Sequence, residues 1–362
     1  PMRKHKFFNS IYIVILGIVF LFSLANSDEL NSSELISKKQ QLETARVIAQ
    51  ILENYHYTKP EINNELSSLA FDRFLESLDP NRMFFNRSDI IAFELFRYRF
   101  DDYFKQGDLE IPYIIFERYK KRVGNRVSFA KSLLKNYRFN FEKNENFKFD
   151  RKDSSWPISE TESNELWRKR VKNDLLSGRL SEKSFSKENL LKRYDGILRR
   201  IEQMNDNDIF QTFINSMTLS IEPHTSYMSP RLSENFDIGM RLSLQGIGAI
   251  LRNNNEYTEV IRTVVGGPAA RSGKINNGDR IIGVGQDKNG PFKDVTGWRL
   301  QDVVDLIRGP KGSVLRLKIM ARNQGSYGRV QEVTLVRDKI ELEDKAAKAS
   351  IIALPEEDKI KI

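Results

Sequence analysis

The sequence predicts an α+β multidomain chain, with a long helical front half and a smaller β-rich unit behind it. Three observations carry that prediction. Apolar residues recur at steps of three and four from residue 42 to about 220, the period of helices buried on one face. Near residue 223 the pattern changes to short β-branched runs punctuated by glycine and proline. Ahead of both lies a leader that is first basic, then apolar, then small-residue.

The leader comes first in the chain. Met2-Arg3-Lys4-His5-Lys6 is basic, Ile11 to Phe22 is an apolar run, and Ser23-Leu24-Ala25 places small residues at a cleavage position. This is the layout of a secretory signal over 1–25, and the run is shorter than the ~20 residues of a comfortable membrane span. The expectation is export, the alternatives being an uncleaved membrane anchor or a buried amphipathic helix.

The helical part comes next. Leu42, Ala45, Ile48, Leu52 and Tyr55 share one helical face. Leu66, Ala70, Phe74 and Leu78 share another, and Asp79-Pro80 stops that helix because a residue before proline is pushed out of the helical region. Leu190, Tyr194, Ile197, Leu198 and Ile201 repeat the pattern, as do Ile209, Phe213, Ile214 and Met217. The stretch from Phe139 to Asp153 has no period and reads as a loop. Aromatic residues at helical spacing read as core rather than as a cofactor box.

Glu222-Pro223-His224-Thr225-Ser226-Tyr227 reads as a turn leaving a helix, with His224 structural. Strand character is expected from Arg241 to Leu244 and over Thr258 to Val264. Pro268 opens a short helix that Gly273 closes. Gly278-Asp279 turns into a strand from Arg280 to Val284. Leu300, Val303, Val304 and Ile307 form the apolar stripe of a further helix, ended by Gly309-Pro310-Lys311-Gly312. Two more strands are expected, at Val314–Ile319 and Val330–Val336.

Composition removes several function classes. Hydrophobic residues make up 40% and charged residues 30%, which reads as a soluble, globular chain. There is no cysteine, so disulfide scaffolds, Cys-ligated metals and cysteine nucleophiles are excluded. His5, His56 and His224 have no metal-ligand spacing, His-Glu-x-x-His is absent, and no motif calls for a cofactor. Lys and Arg exceed Asp and Glu by 58 to 49, but neither zinc-finger spacing nor an aromatic ribonucleoprotein motif accompanies the excess. It reads as a solvated basic surface, with no nucleic-acid partner.

The informative stretch is Leu244-Gln245-Gly246-Ile247-Gly248-Ala249-Ile250-Leu251. Two glycines around one apolar residue let the backbone turn tightly, with N–H groups converging on one hollow that suits a carboxylate. The strand after it offers an edge to which an extended peptide can add. The helix bearing Val303, Val304 and Ile307 walls that groove. The expected peptide contacts are therefore Leu244, Gln245, Gly246, Ile247, Gly248, Ile250, Val304 and Ile307. Gly246-Ile247-Gly248 leads into a strand, so it is not a dinucleotide fingerprint, which needs a helix there.

The order of these elements resembles a PDZ domain of the bacterial kind, a partly open β-barrel with two helices. More closely, Gln245-Gly246-Ile247-Gly248, Val265-Gly266-Gly267-Pro268-Ala269-Ala270, Gly278-Asp279-Arg280-Ile281-Ile282-Gly283-Val284 and Ile307-Arg308-Gly309-Pro310-Lys311-Gly312-Ser313 resemble the carboxyl-terminal-processing proteases. Glu222-Pro223-His224-Thr225-Ser226-Tyr227-Met228-Ser229-Pro230 continues the likeness. Phe74-Leu75-Glu76-Ser77-Leu78-Asp79-Pro80 resembles the N-terminal helical domain of the tail-specific branch.

The resemblance implies a periplasmic endopeptidase, soluble or peripheral on the inner membrane, that recognises the apolar C-terminal tails of protein substrates. It implies a serine nucleophile and a lysine base in an α/β domain behind the PDZ domain, and an adaptor lipoprotein as a partner. On this reading the divisions are a signal at 1–25, a helical domain at 26–237, a PDZ domain at 238–340 and the start of a truncated protease core at 341–362. No catalytic residue is assigned within the chain. The alternative is a non-catalytic exported PDZ protein, or a decayed gene product, that captures C-termini without cutting them.

Overall fold

The computed structural model describes residues 38–180, 186–322 and 330–341. The expected signal segment lies outside the described residues, as does 342–362, nearly all of the expected entry to a further domain. Among the described residues, no helix is long and apolar enough to cross a membrane. The chain divides into two units between Ser229 and Pro230, ahead of the boundary expected at 237/238.

The first unit is helical. It comprises α1 (38–55), α2 (Asn64–Leu78), α3 (Arg87–Phe93), a 3-10 turn at Glu94–Phe96, α4 (Phe100–Gln106), α5 (Glu110–Asn136), α6 (Glu160–Leu180), α7 (Lys187–Glu202) and α8 (Asp206–Ile221). Capping residues set where helices begin. The Asn63 side chain accepts the N–H groups of Glu65 and Leu66 at the head of α2, at 3.1 and 3.2 Å. Asn205 and Asp208 form a reciprocal capping box on α8. Asp79 ends α2 and organises the turn into α3: its buried carboxylate accepts N–H groups from Met83, Phe84 and Phe85 at 2.9, 2.8 and 3.0 Å. Burial pushes this carboxyl up, and the three backbone donors oppose the rise.

The expected stripe of α2 is the centre of the core: Leu66, Ala70, Phe74 and Leu78 are all buried. Phe74 meets Phe100 and Phe213 edge to face, with ring centroids 5.8 and 6.3 Å apart. Trp167 of α6 is fully buried and donates its indole N–H to the Met83 carbonyl at 2.8 Å. One expectation fails on α1. Tyr55 is 83% exposed, because the inward line runs through Ala45, Ala49 and Leu52 and on to His56. A step of four from Leu52 reaches His56, not Tyr55.

The stretch between α5 and α6 is irregular, as expected, yet it is anchored. Phe139, Phe141, Phe147 and Trp156 pack on the helical core, and Glu145 bonds to Arg168 and Lys172. The turn after α8 is also tied down. Glu222 accepts the His224 backbone N–H at 3.0 Å and the Thr225 hydroxyl, while His56 Nε2 lies 2.8 Å from Thr225 Oγ1.

The second unit comprises α9 (Pro230–Arg241), β1 (Ser243–Gly246), β2 (Ala249–Asn254), β3 (Tyr257–Thr263), α10 (Pro268–Ser272), β4 (Arg280–Gln286), β5 (Phe292–Asp294), α11 (Leu300–Ile307), β6 (Val314–Met320), β7 (Val330–Val336) and β8 (Asp338–Glu341). An antiparallel sheet has the order β2-β3-β4-β6-β7, with β5 also on β4, and β1 pairs separately with β8. Strand β6 alternates cleanly: Leu315, Leu317 and Ile319 are buried and Arg316 and Lys318 are not. These side chains join Ile247, Val260, Ala269, Ile281, Val284, Val303 and Val333 in one core.

The start of this unit differs from expectation. Arg241 does not begin a strand; it ends α9, and Leu242 breaks the chain at φ +52° before β1 starts at Ser243. Four alternating residues are too few to outvote a helix whose polar side has partners elsewhere in the unit.

Candidate peptide-binding site

Strand β2 lies at the end of its sheet, so among the described residues one side of it faces no other strand. Edge N–H and C=O groups of this kind are a template for an added strand. Helix α11 packs beside β2, and between them lies a cavity of about 210 Å³. Leu244, Gly246, Ile247, Gly248, Ile250, Val304 and Ile307 line it, together with Ala249, Leu251, Val264, Arg308 and Ile340. Gln245, expected among the peptide contacts, does not. Its side chain is turned to the loop after α11, where Oε1 accepts the Lys311 N–H at 2.8 Å.

The closed end of the groove is built from backbone. Gly248 has φ +69°, the left-handed region that favours glycine, and a Cβ there would press on Gly267 Cα and Ile340 Cδ1, each at 3.2 Å. The Ile247 carbonyl accepts the Ala269 N–H and the Gly248 carbonyl accepts the Val264 N–H, each at 2.8 Å. In a planar trans peptide the C=O and the following N–H point opposite ways. The Gly248 and Ala249 N–H groups therefore point away from those partners, on the groove side. They give an anion a backbone cradle at the end of the strand edge.

The wall is fixed from behind by Arg337, which is 3% exposed. Its guanidinium donates to the Ile307 carbonyl at 2.8 Å, the Leu306 carbonyl at 3.0 Å, Gln286 Oε1 at 2.6 Å and Ser313 Oγ at 2.9 Å. It thus satisfies carbonyls left open at the end of α11. Gly309 at φ +155° makes room for it, since a Cβ would sit 2.9 Å from Arg337 Nε. Nearby, Asp338 pairs with Gly246 across β1 and β8. Hydrogen bonds from Lys311 and Arg271, each at 3.0 Å, hold its carboxyl down at about 2.

Sequence reasoning missed Ile340, Arg308 and Arg337 as parts of this site. Ile340 reaches the groove only through the pairing Leu244↔Ile340, across almost a hundred residues of chain. Arg308 stands in the motif running from Ile307 to Ser313, but spacing alone does not tell a groove-lining arginine from a surface one.

Comparison with known proteins decides the family. A model of the tail-specific protease N-terminal domain matches residues 48–231, half of the chain. The chain belongs to the tail-specific protease family. A PDZ-domain model matches residues 232–320, the segment that carries the groove lining apart from Ile340. The tail-specific protease of Haemophilus influenzae is 38% identical over 86% of this chain and 45% of its own length. The carboxy-terminal processing protease of Bacillus subtilis is 31% identical over 42% of this chain and 31% of its own length. The chain thus spans less than half the length of these relatives. Among solved structures, the PDZ domain of a carboxy-terminal protease from Vibrio cholerae, in complex with peptide, is 51% identical; the match covers 28% of this chain and 100% of that one, with a TM-score of 0.27. In this family member, then, the helical unit corresponds to the N-terminal domain and the sheet unit to the PDZ domain.

Proposed function

We propose that this chain captures apolar C-terminal tails of proteins and presents them to a serine endopeptidase activity of the whole protein. One observation carries the reading. A free strand edge on β2 lies beside an apolar groove that ends in the Gly246–Gly248 backbone cradle. A tail adds along β2, places its last side chain against Ile247, Val304 and Ile307, and sets its carboxylate on the Gly248 and Ala249 N–H groups. Family membership supports proteolysis as the outcome. The serine nucleophile and lysine base are assigned to no residue of these 362. Binding of a tail drives cutting only through the part of its free energy that differs between resting and active states.

The test is calorimetric. The full chain is titrated with a peptide ending in Leu-Ala-Ala and with the same peptide amidated at its C-terminus. Binding of the free acid alone is expected; equal binding of both, or of neither, overturns the reading.

The leader at residues 2–25 supports a periplasmic site of action, with a peripheral place on the inner membrane and an adaptor lipoprotein as partner belonging to the same proposal. Fusing alkaline phosphatase after the leader checks export: an enzyme that stays inactive in cells would count against it.

A further inference from the structure

Another cavity, of about 790 Å³, lies in the helical unit. That volume is within the ~300–1,000 Å³ range of small-ligand sites. Leu42 of α1, Phe93 of α3 and one face of α5 wall it. The α5 face repeats at steps of three and four from Glu110 to Lys121, a length of roughly 16 Å. Its floor is apolar: Phe93 and Leu109 are 4% and 6% exposed, and Leu42 and Ile114 flank them. The Tyr113 hydroxyl is engaged by Gln41 Oε1 and the Asp206 carbonyl, at 3.2 and 3.3 Å, and neither partner lines the cavity. An extended peptide laid on this floor would leave its N–H and C=O groups without partners, whereas a hydrocarbon chain has none to satisfy.

Charge is graded along the α5 face. Glu110 stands at one end and Arg118 and Lys121 at the other, while Glu117 has Lys120 at 3.8 Å. Arg118, Arg122 and Arg126 share Asp89 and Glu160, so three guanidinium charges meet two carboxylates. Lys121 is exposed and has no ion-pair or hydrogen-bond partner among the described residues. A surplus of positive charge therefore stands at one end of an apolar groove.

We propose that this cavity binds a single-chain amphiphile with an anionic head, its chain along Tyr113 and Ile114 and its head beside Arg118 and Lys121. The ligand is a free monomer, because the floor lies at the bottom of a groove whereas a membrane surface presents headgroups first. The site is independent of the peptide-binding reading, since its residues all belong to the helical unit.

The experiment titrates the full chain calorimetrically, below micelle-forming concentrations, with decyl phosphate, 1-decanol and decyltrimethylammonium. Decyl phosphate is expected to bind once per chain, decanol about tenfold more weakly and the ammonium most weakly. Lys121→Gln should weaken decyl phosphate about threefold, the scale of one exposed ion pair, and leave decanol unchanged. Ile114→Asp, at a position 45% exposed, should abolish binding of both without moving the thermal melt followed by circular dichroism. Equal binding of the three ligands, or of none, overturns the proposal. So does a preference for the phosphate that Lys121→Gln keeps in full, or binding that Ile114→Asp leaves intact. Two further outcomes assign the groove to another occupant and overturn the proposal as well. One is binding to phosphatidylglycerol vesicles with no heat from decyl phosphate, which means a membrane surface. The other is decyl phosphate binding only when Leu35→Asp and Ile36→Asp are both present, which means that residues ahead of Lys38 fill the groove.

Discussion

The buried guanidinium of Arg337 donates to the carbonyl of Ile307 at 2.8 Å, and so ties the last turn of α11 to the strand end that closes the sheet unit. Replacing it by leucine removes a donor from the Ile307 carbonyl, Gln286 Oε1 and Ser313 Oγ, and leaves the Leu306 carbonyl with only the Gln286 amide at 2.8 Å. Arg337→Leu should destabilise the sheet unit by about 3 kcal/mol, the cost of stranding several buried acceptors. Urea unfolding checks this. Arg337→Lys, one point charge in place of a fork, should recover only part of it.

Gly248→Ala should abolish tail binding. The left-handed backbone costs a non-glycine residue about 1–2 kcal/mol, and the new methyl meets Gly267 and Ile340 at 3.2 Å. Calorimetry with the free-acid peptide should give no heat, while circular dichroism retains a folded spectrum.

Val304→Phe separates binding from stability. Val304 is only partly buried and faces the cavity. A larger ring there should fill the space meant for the last side chain of a tail. Peptide affinity should fall strongly, with a change in unfolding free energy below about 1 kcal/mol.

Phe74→Ala should cost the helical unit about 3–5 kcal/mol, since the ring is fully buried against Phe100 and Phe213. Thermal unfolding monitored by far-ultraviolet circular dichroism measures the loss.

Acid stability of the helical unit should depend on Asp89. Burial alone would raise its carboxyl, but hydrogen bonds from Arg122 at 2.7 Å, the Asn86 N–H at 3.0 Å and Arg118 at 2.8 Å outweigh burial and hold it below the usual aspartate range. A carboxyl lowered in the folded state stabilises fully above its unfolded value of about 3.9. That contribution disappears as the pH falls from there through the lower folded value. Asp89→Asn should weaken the unit near neutral pH and flatten this acid-side slope, as read from unfolding midpoints at a series of pH values.

Local chemistry made much of the fold legible. The four-residue steps of Leu66, Ala70, Phe74 and Leu78 specified a buried helix face without knowledge of its neighbours. Pro268 and Gly273 bracketed α10 because one fits a helix start and the other its left-handed end, at φ +63°. The glycines at 246 and 248 marked a backbone turn, and most of the residues proposed around it line one cavity. What sequence period could not supply was phase at a helix end, which is why Tyr55 is in solvent and His56 is not.

By itself, then, the sequence determined many of the elements, their order and the glycine turn beside a strand, because propensities, caps and steric limits act within a few residues. Only the tertiary structure decided that β2 is an edge, that Ile340 completes the groove, that Gln245 turns to Lys311, and that Arg308 lines the groove while Arg337 braces its wall. Those facts depend on strand pairings between distant residues, β1 with β8 and β6 with β7, and on which charges find partners once the sheet has closed. No local rule carries that information, since a hydrogen bond or ion pair between remote residues exists only after the chain has brought them together.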